Sequence, residues 1–464
     1  MCDDVADLLP FDQGGSSFIL SKGADKILKI QPITSPQVID DSNLESMIHK
    51  TLCETLKTEG IFGIPEFYTS TLEYTIPEEI VKSLNSNIKK GSRRFTSNYP
   101  CTITQMERLD GENMKEILLG GRNNGRTKLE DLSRDEIKNI FLQLAIILDF
   151  LDNKCGFKHN DFKLQNIILR RNSTPGMVVR YERGNSENWE FCLGDYSAFL
   201  VDFGCSQISL APPLSDEMNC FTSSYLPLKE LVFLEPGKKF IRSSFRGDSW
   251  CYGLCLYYSV YSGWLNNFGM DNSEWVAGQT AFKSSAGRAG SFVLLFWTVG
   301  ESHRHRRFNA IKKHLFEILR GSMTGKQRVL DAYYDPLMFL VLGVYLTCKL
   351  VFGIPLPDSC KGSVYYECLR YLEDNPETMD EFETMNLADG DVRFFSQLTK
   401  TQVIHKLGKK GTDLVKQCLS SDPQISEIIT HDFFEDFFDP ADYEQLLDSR
   451  ETLTNRGMLL RIVV

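Results

Sequence analysis

The sequence contains no apolar run long enough to cross a bilayer. Its longest, PLMFLVLGVYLTC at residues 336–348, has 13 residues and is followed by Lys349, whereas a transmembrane helix needs about 20. We therefore predict a buried helix at 336–348 and no membrane partner. Positive charge is also in deficit, with a formal net charge of −11 at pH 7. This deficit argues against nucleic acid as a partner, because a phosphate backbone binds clustered positive charge.

Cysteine pairs at the spacing of metal or redox motifs are missing as well. The chain has 13 cysteines but no C-x-x-C pair, and its first residues show no signal-like pattern. We expect reduced thiols and an intracellular, cytoplasmic location, with nuclear or virion-associated placement left open. Cys251 and Cys255 lie one helical turn apart, and without further ligands near them both are expected to face a core.

The composition is that of a globular protein, and the chain has two differently patterned parts. Hydrophobic residues make up 42% and aromatic residues 11%, which is typical of a folded protein. The first hundred residues contain short β-rich runs and one helix, and longer helical patterns follow from about residue 112. The predicted N-terminal elements are strands in SSFILS (16–21), DKILKIQPI (25–33) and NYPCTITQME (98–107), and a helix in NLESMIHKTLCETL (43–56).

A long helix is predicted directly before the most informative polar motif of the chain. Ser133 and Glu136 have the spacing of a capping box. Apolar residues then recur at helical spacing, and Gly156 marks the end of the helix. Beyond the motif, MVVRYE (177–182) and WEFCLG (189–194) are predicted to pair as a hairpin.

The motif is HNDFKLQN, residues 159–166, and Asp202 in LVDFG follows a further apolar strand. In a phosphotransferase, one carboxylate must orient the attacking hydroxyl or accept its proton, and Asp161 suits that role. Lys163 is placed to neutralise charge on the transferred phosphoryl group. Asn166 and Asp202 offer the oxygen ligands that Mg²⁺ prefers.

HNDFKLQN resembles the catalytic loop H-R-D-L-K-x-x-N of eukaryotic-type protein kinases, and D-F-G is similar to the metal-binding triplet of that family. The resemblance implies an α+β, bilobal protein-kinase-like fold, with a small β-rich N-lobe (1–107) and a large helical C-lobe (108–464). It implies ATP and Mg²⁺ as cofactors, with Mn²⁺ as an alternative metal, and a protein hydroxyl as acceptor. Lys163, two positions after Asp161, implies serine/threonine rather than tyrosine specificity.

The resemblance also assigns a nucleotide site upstream. Lys29 in DKILKI stands in the place of the catalytic lysine that holds the α- and β-phosphates, and Glu45 is its expected helix partner. Lys26 and Glu54 are the alternatives for this pair. The remaining expected nucleotide-binding residues are Gly14 and Gly15 in place of a glycine-rich loop, Met106 as gatekeeper, and Glu107 and Leu109 for backbone contacts to adenine.

Downstream segments extend the resemblance. Asp248 would bind the backbone of the catalytic loop, Gly253 would allow close helix packing, and residues 411–434 resemble the closing helices of serine/threonine kinases. Asp248 and Asp422 lie 174 positions apart, far more than the family needs. This spacing implies a long helical insertion at about 262–400.

The predicted insertion contains a basic patch at residues 303–313, within SHRHRRFNAIKK. On an acidic chain, this patch would dock an acidic partner or form a solvated helix face. The long insertion and the divergent motifs make the chain similar to the kinases of large DNA viruses.

Departures from the family pattern leave alternatives open. Asn160 stands where the family has Arg, which implies activity that does not depend on a phosphorylated activation segment. DQGGSSFI matches the glycine-rich loop only at Gly14, so a non-catalytic pseudokinase scaffold is one alternative. A small-molecule kinase of the choline-kinase-like or aminoglycoside-kinase-like type is another, although Lys163 and Gly204 favour a protein substrate.

Overall fold

The fold is that of a mixed α+β protein whose sheets are mainly antiparallel, as seen in a computed structural model of the chain. Gly14, Gly15 and the basic patch 303–313 lie outside the described residues. The described residues are 8–13, 17–58, 63–74, 78, 81–82, 85, 100–114, 117, 132–172, 176, 178–183, 187–209, 225–231, 247–267, 341, 344–345, 348–349, 352–361, 366, 369–370, 374, 407–438 and 459–463.

The first sheet has five antiparallel strands, with one long helix between the third and the fourth. These elements are β1 (Leu8–Gln13), β2 (Phe18–Lys22), β3 (Lys26–Pro32), α1 (Pro36–Thr58), β4 (Phe67–Glu73) and β5 (Cys101–Glu107). The order of the strands in the sheet is β1-β2-β3-β5-β4. The strands predicted in SSFILS, DKILKIQPI and NYPCTITQME are confirmed as β2, β3 and β5, and the predicted helix lies within α1.

The two faces of this sheet differ in polarity. One face carries a small apolar core made by Leu20, Leu28, Ile30, Cys101 and Ile103. Because successive side chains of a strand point to opposite faces, the neighbouring positions on β3 and β5 turn to the other side, where α1 packs. The helix therefore meets the polar face of the sheet.

Hydroxyl groups make the contact between α1 and the sheet. The Ser42 Oγ lies 2.6 Å from the Thr102 Oγ1, and the Ser46 hydroxyl donates to the Ser70 Oγ over 2.9 Å. Ser70 in turn lies 3.2 Å from the Thr104 hydroxyl. These hydrogen bonds satisfy polar groups that would otherwise be costly to bury.

The apolar side of α1 packs elsewhere. Ile48, Leu52 and Leu56 are buried in the main hydrophobic core, together with the long helix of the second part of the chain. The helix thus joins the sheet through polar contacts and the larger core through apolar ones.

Replacing Thr102 by Val should lower the free energy of unfolding by about 1–3 kcal/mol, the cost of leaving a buried hydroxyl without its partner. Ser42 and Thr102 are both buried, so water does not replace the lost bond. Urea unfolding would measure this cost. The double variant Ser42→Ala/Thr102→Val should lie closer to wild type than the two single effects added together. Strictly additive costs would show that the two hydroxyls do not depend on each other.

The second long helix, α2 (Arg134–Cys155), begins and ends where the sequence predicts. Ser133 and Glu136 form both hydrogen bonds of a capping box, and Gly156 closes the helix in the left-handed conformation. Its buried Asn139 and Gln143 bind backbone groups of residues 192–198. This fixes the strand that leads to Asp202.

Two smaller sheets follow. The second sheet has the order β10-β7-β6, and the third the order β11-β8-β9, in which β11 runs parallel to β8. The predicted hairpin is confirmed as β8 and β9. The strands are β6 (Gly111–Asn113), β7 (Ile167–Arg171), β8 (Val178–Arg183), β9 (Glu187–Cys192), β10 (Tyr196–Leu200) and β11 (Leu459–Val463).

Residues Gly247–Asn267 form the next long helix, α4, which closely approaches the helix of residues 407–421 at Gly253. A Cβ atom on Gly253 would lie 2.5 Å from the Cβ of Cys418, so only glycine allows this approach, as predicted. Cys251 and Cys255 are both buried, which confirms that they face the core. The helices are α3 (Leu228–Leu231), α4 (Gly247–Asn267), α5 (407–421) and α6 (Ile425–Ile429), with 3₁₀ turns at Leu164–Asn166, Asp358–Cys360 and Asp432–Phe438.

The apolar run 336–348 is described at only a few positions. Its described residues, Val341, Val344, Tyr345 and Cys348, are all buried, in agreement with the predicted buried helix. Over the described parts of the chain, no helix combines the length and the apolar character that crossing a membrane requires.

Candidate active site

The loop of residues 159–166 connects α2 to β7 and is held by a buried carboxylate of α4. Asp248 accepts hydrogen bonds from the backbone N–H of His159 (2.7 Å) and from that of Asn160 (2.8 Å). This contact confirms the sequence prediction for Asp248. It fixes the loop backbone immediately before Asp161.

Asp161, Lys163 and Asn166 lie together within this loop. The Lys163 Nζ is 2.5 Å from the Asp161 Oδ2. The Asn166 amide nitrogen donates to the Asp161 backbone oxygen over 3.0 Å and to its Oδ2 over 3.3 Å. Because the Asn166 nitrogen bonds within the loop, the carbonyl oxygen of its side chain is the atom suited to bind a cation.

Lys29 joins three separate segments of the chain. It projects from β3, and its Nζ lies 2.5 Å from the Glu45 Oε1 of α1 and 3.0 Å from the Asp202 Oδ1 beyond β10. Of the alternatives, Lys26 instead lies over the Tyr68 ring, and Glu54 pairs with Lys50 on the exposed side of α1. The structure therefore brings together Lys29 and Glu45.

This arrangement shifts the pKa values of all three groups. Burial lowers the pKa of Lys29, but the carboxylates of Glu45 and Asp202 outweigh burial and raise it above its ordinary value. The charge of Lys29 lowers the pKa of Asp202 to about 2, against the opposing effect of burial. Burial raises the pKa of Glu45, and Lys29 opposes that rise. Lys29 thus favours the ionised form of both carboxylates, but it outweighs burial only at Asp202.

Replacing Lys29 by Met should change how stability depends on pH. In the wild type, the lowered pKa of Asp202 contributes stability above its ordinary pKa of 3.8, which is lost as the pH falls towards 2. Without Lys29, burial and mutual repulsion raise the pKa of both carboxylates, so the variant gains stability relative to wild type as the pH falls. Breaking a fully buried pair costs about 3–5 kcal/mol and an exposed pair about 0–1 kcal/mol. Lys29 and Glu45 are 16% and 17% exposed but Asp202 is 49% exposed, so the cost near neutral pH should lie between these two ranges. Thermal unfolding at pH 7.5 and at pH 5 should show a smaller difference between variant and wild type at pH 5.

The matched control for this prediction is Lys50→Met. Lys50 lies on α1, the helix that also carries Glu45. It pairs with Glu54 at 3.9 Å, and both side chains are well exposed. An exposed pair contributes about 0–1 kcal/mol, so the melting temperature should change little at either pH. If Lys50→Met changed the melting temperature as much as Lys29→Met does, a special role for Lys29 would be contradicted.

A column of aromatic rings connects the first sheet to the 159–166 loop. The His49 ring lies 5.4 Å from Phe67 of β4 and 5.0 Å from Phe203, and the Phe203 ring lies 5.8 Å from His159. Burial lowers the pKa of His49 to about 4, so the neutral ring donates its Nε2–H to the Pro65 carbonyl, 2.7 Å away. The column fixes Phe203, the residue after Asp202.

Sequence reasoning missed His49, although one signal was available. His49 follows Glu45 by four positions, which places both on the same side of a helix. A polar residue such as His49 at a position that faces the core is the signal that could have identified it.

Residues 106–109 lie where the first sheet meets the second. Met106 pairs with Ile27 across the strands, and Leu109 is buried. The Glu107 N–H donates to the Glu66 carbonyl over 2.8 Å, and its carboxylate accepts from Arg170 of β7 over 3.3 Å.

The predicted nucleotide contacts at residues 106–109 are therefore limited to particular atoms. At Glu107, the backbone amide is already used within the protein. A base-binding role there would fall to its carbonyl oxygen and to the backbone of Leu109. Arg170 was not predicted, because its partner lies 63 positions away.

Neither a protein-family model nor a curated protein matches this chain.

The arrangement is chemically suited to a charged, metal-bound substrate. Lys29 supplies a positive charge 3.0 Å from Asp202, and the Val201 N–H donates to the Asn166 backbone oxygen over 3.0 Å. Asn166 and Asp202 are thus neighbours across two strand ends. Among the described residues, no group of three or more His, Cys, Asp or Glu side chains is arranged so that it could hold a metal ion.

Proposed function

We propose that this chain is an ATP-dependent phosphotransferase, a serine/threonine protein kinase that transfers the γ-phosphate of ATP to a protein hydroxyl. One observation carries the proposal: Lys29 contacts Glu45 at 2.5 Å and Asp202 at 3.0 Å. These residues come from β3, α1 and the turn after β10. The sequence alone predicts Lys29 for phosphate binding, Glu45 as the partner of Lys29, and Asp202 for metal binding.

The proposed architecture is bilobal. Residues 1–107 form the smaller, β-rich lobe, and residues 108–464 form the larger lobe with an insertion at about 262–400. The five-stranded sheet and the separate apolar cores support this division, because the small core on β2, β3 and β5 is distinct from the main core around α2 and α4. The nucleotide would bind between the two parts, beside Lys29.

Each polar residue has a distinct part in the proposed reaction. Asp161 orients the acceptor hydroxyl and accepts its proton. Lys163, in contact with Asp161, neutralises charge that develops on the transferred phosphoryl group. Lys29 positions the α- and β-phosphates, and Glu45 holds Lys29 in place.

Asn166 and Asp202 would hold Mg²⁺, or Mn²⁺ as an alternative. Both offer oxygen atoms, the ligands that these hard cations prefer, and Mg²⁺ commonly takes only one or two carboxylates together with water and phosphate oxygens. The low pKa of Asp202, about 2, keeps its carboxylate ionised for this task. When bound, the metal would neutralise the charge of the phosphates.

An acceptor screen tests the proposed function. The purified chain would be incubated with Mg²⁺ and radiolabelled ATP, with unstructured proteins rich in Ser, Thr and Tyr in one series and choline or an aminoglycoside in the other. Asp161→Asn, purified in parallel, controls for contaminating kinases. We expect label on protein, at Ser and Thr after hydrolysis to phosphoamino acids.

The other outcomes select the alternatives. Label on the small molecules alone would identify a metabolite kinase. ATP binding without any transfer would identify a pseudokinase scaffold. Label that persists unchanged in the Asp161→Asn preparation and also in a Lys29→Met preparation would show that a contaminant produces it.

The basic patch 303–313 remains part of the proposal as a docking site for an acidic partner. Its positive charge on a chain with a net charge of −11 supports that role.

A further inference from the structure

Asn160 lies between His159 and Asp161 and makes a contact that its sequence position does not reveal. Its backbone is left-handed, with φ 65°, and its N–H donates to Asp248. Its side-chain amide donates to the Cys205 backbone oxygen over 3.0 Å. A left-handed conformation is unusual for residues other than glycine, and asparagine is among the few that tolerate it.

The Asn160 contact joins the 159–166 loop to the segment that follows Asp202. Lys158 and Gln207 exchange two backbone hydrogen bonds of 2.9 and 2.8 Å, and the Ser206 hydroxyl donates to the His159 carbonyl over 3.1 Å. The Ser206 N–H donates to the Phe203 carbonyl over 2.9 Å. Residues 203–207 therefore form a tight turn bonded to the residues before Asp161, and the Asn160 amide reaches into that turn.

Asp202 is held from two sides. It is itself left-handed, with φ 67°, a conformation that persists only when its surroundings enforce it. On one side its carboxylate pairs with Lys29 at 3.0 Å. On the other side, the turn that follows it is held by Asn160. In the proposed nucleotide complex Lys29 would also contact the phosphates, whereas the Asn160 amide contacts only the Cys205 backbone.

We propose that Asn160 is a positioning residue for the metal-binding carboxylate of Asp202, acting through the Cys205 carbonyl. This proposal rests on the proposed function. The hydrogen bond joins uncharged groups, so it holds the turn without a charged or phosphorylated side chain. It keeps Asp202 in place when Lys29 turns to the phosphates.

Two substitutions separate the amide from the backbone conformation. Asn160→Gly keeps the left-handed backbone without strain and removes the amide. Asn160→Asp keeps the shape and tolerance of asparagine but has no donor when ionised. The matched control is Asn153→Asp, because the Asn153 amide also donates to a backbone carbonyl, that of Asp149 at 2.8 Å, on the surface end of α2.

Hydrogen exchange of residues 203–209 in the metal-free chain is the first measurement. We expect exchange to speed up in both Asn160 variants, on the order of fivefold, as for the loss of one neutral hydrogen bond. Asn153→Asp should leave exchange in this segment unchanged. Wild-type exchange rates in both Asn160 variants, or equal acceleration by Asn153→Asp, would overturn the proposal.

The second measurement is the Mg²⁺ concentration that gives half-maximal phosphoryl transfer. It should rise by about fivefold in both Asn160 variants, while the KM for the protein acceptor stays unchanged. A general structural defect would instead raise the acceptor KM in parallel, and that outcome would refute a role directed at the metal. An inactive wild type would refute the proposed function, whereas the exchange rates judge the Asn160 contact in either case.

Discussion

Replacing Asp161 by Asn should leave Mg·ATP binding nearly intact and lower phosphoryl transfer at least a hundredfold. Asp161 contacts Lys163 and Asn166 within its own loop, and the groups assigned to the metal are those of Asn166 and Asp202. The substitution removes the proton acceptor but keeps the shape of the side chain. Losing one preorganised charged contact costs on the order of 3 kcal/mol, about a hundredfold in rate. Single-turnover transfer at saturating Mg·ATP and calorimetric nucleotide binding would measure the two effects separately.

Asp152→Asn is the matched control for this prediction. Asp152 pairs with Lys158 at 2.5 Å, the same distance as in the pair of Asp161 with Lys163, but at the end of α2. The Asp152→Asn variant should retain a rate of phosphoryl transfer close to that of the wild type. Near-normal transfer to protein by Asp161→Asn would mean that the 159–166 loop has been assigned the wrong role.

Replacing Asp202 by Asn should weaken Mg·ATP binding and transfer together. Its carboxylate is proposed to bind the metal and also contacts Lys29 at 3.0 Å, so the change removes a metal ligand and one partner of the phosphate-binding lysine. Transfer should fall by at least about a hundredfold, and the Mg²⁺ requirement should rise. Lys29 retains Glu45 at 2.5 Å, so the fold should persist, which circular dichroism would confirm.

Asp161→Asn and Asp202→Asn serve as controls for each other, because the same chemical change is made at two carboxylates of one site. If Asp202→Asn bound Mg·ATP as tightly as Asp161→Asn does, the division of roles between acceptor and metal would be wrong. If both variants lost binding equally, Asp161 would also belong to the metal site.

Features with local causes could be predicted from the sequence alone. The bounds of α2 follow from the capping box of Ser133 and Glu136 and from the left-handed Gly156, signals contained within a few residues of each helix end. Strand β3 and the burial of Cys251 and Cys255 follow from side-chain periodicity. The polar loop at 159–166 could be located because an apolar helix and an apolar strand flank it.

Features that depend on distant partners were decided by the tertiary structure. Strand β4, FYTSTLE, carries a mixture of polar and apolar residues, and its pairing with β5 defines it as a strand. The choice of Glu45 over Glu54 depended on which side of α1 faces Lys29. Likewise, the hydroxyl contact between Ser42 and Thr102 joins residues 60 positions apart.

Asn160 is the clearest example of a residue whose contacts could not be predicted from the sequence. From the sequence, it is the residue that replaces an arginine and has no chemical part, so its replacement by Arg is predicted not to abolish activity. In the folded chain, its amide reaches Cys205, 45 positions further on, and its left-handed backbone suits asparagine better than arginine. Local patterns determined which residues are proposed to carry the chemistry of this protein. Folding decided how those residues are held, because the groups that hold them meet only when distant segments pack together.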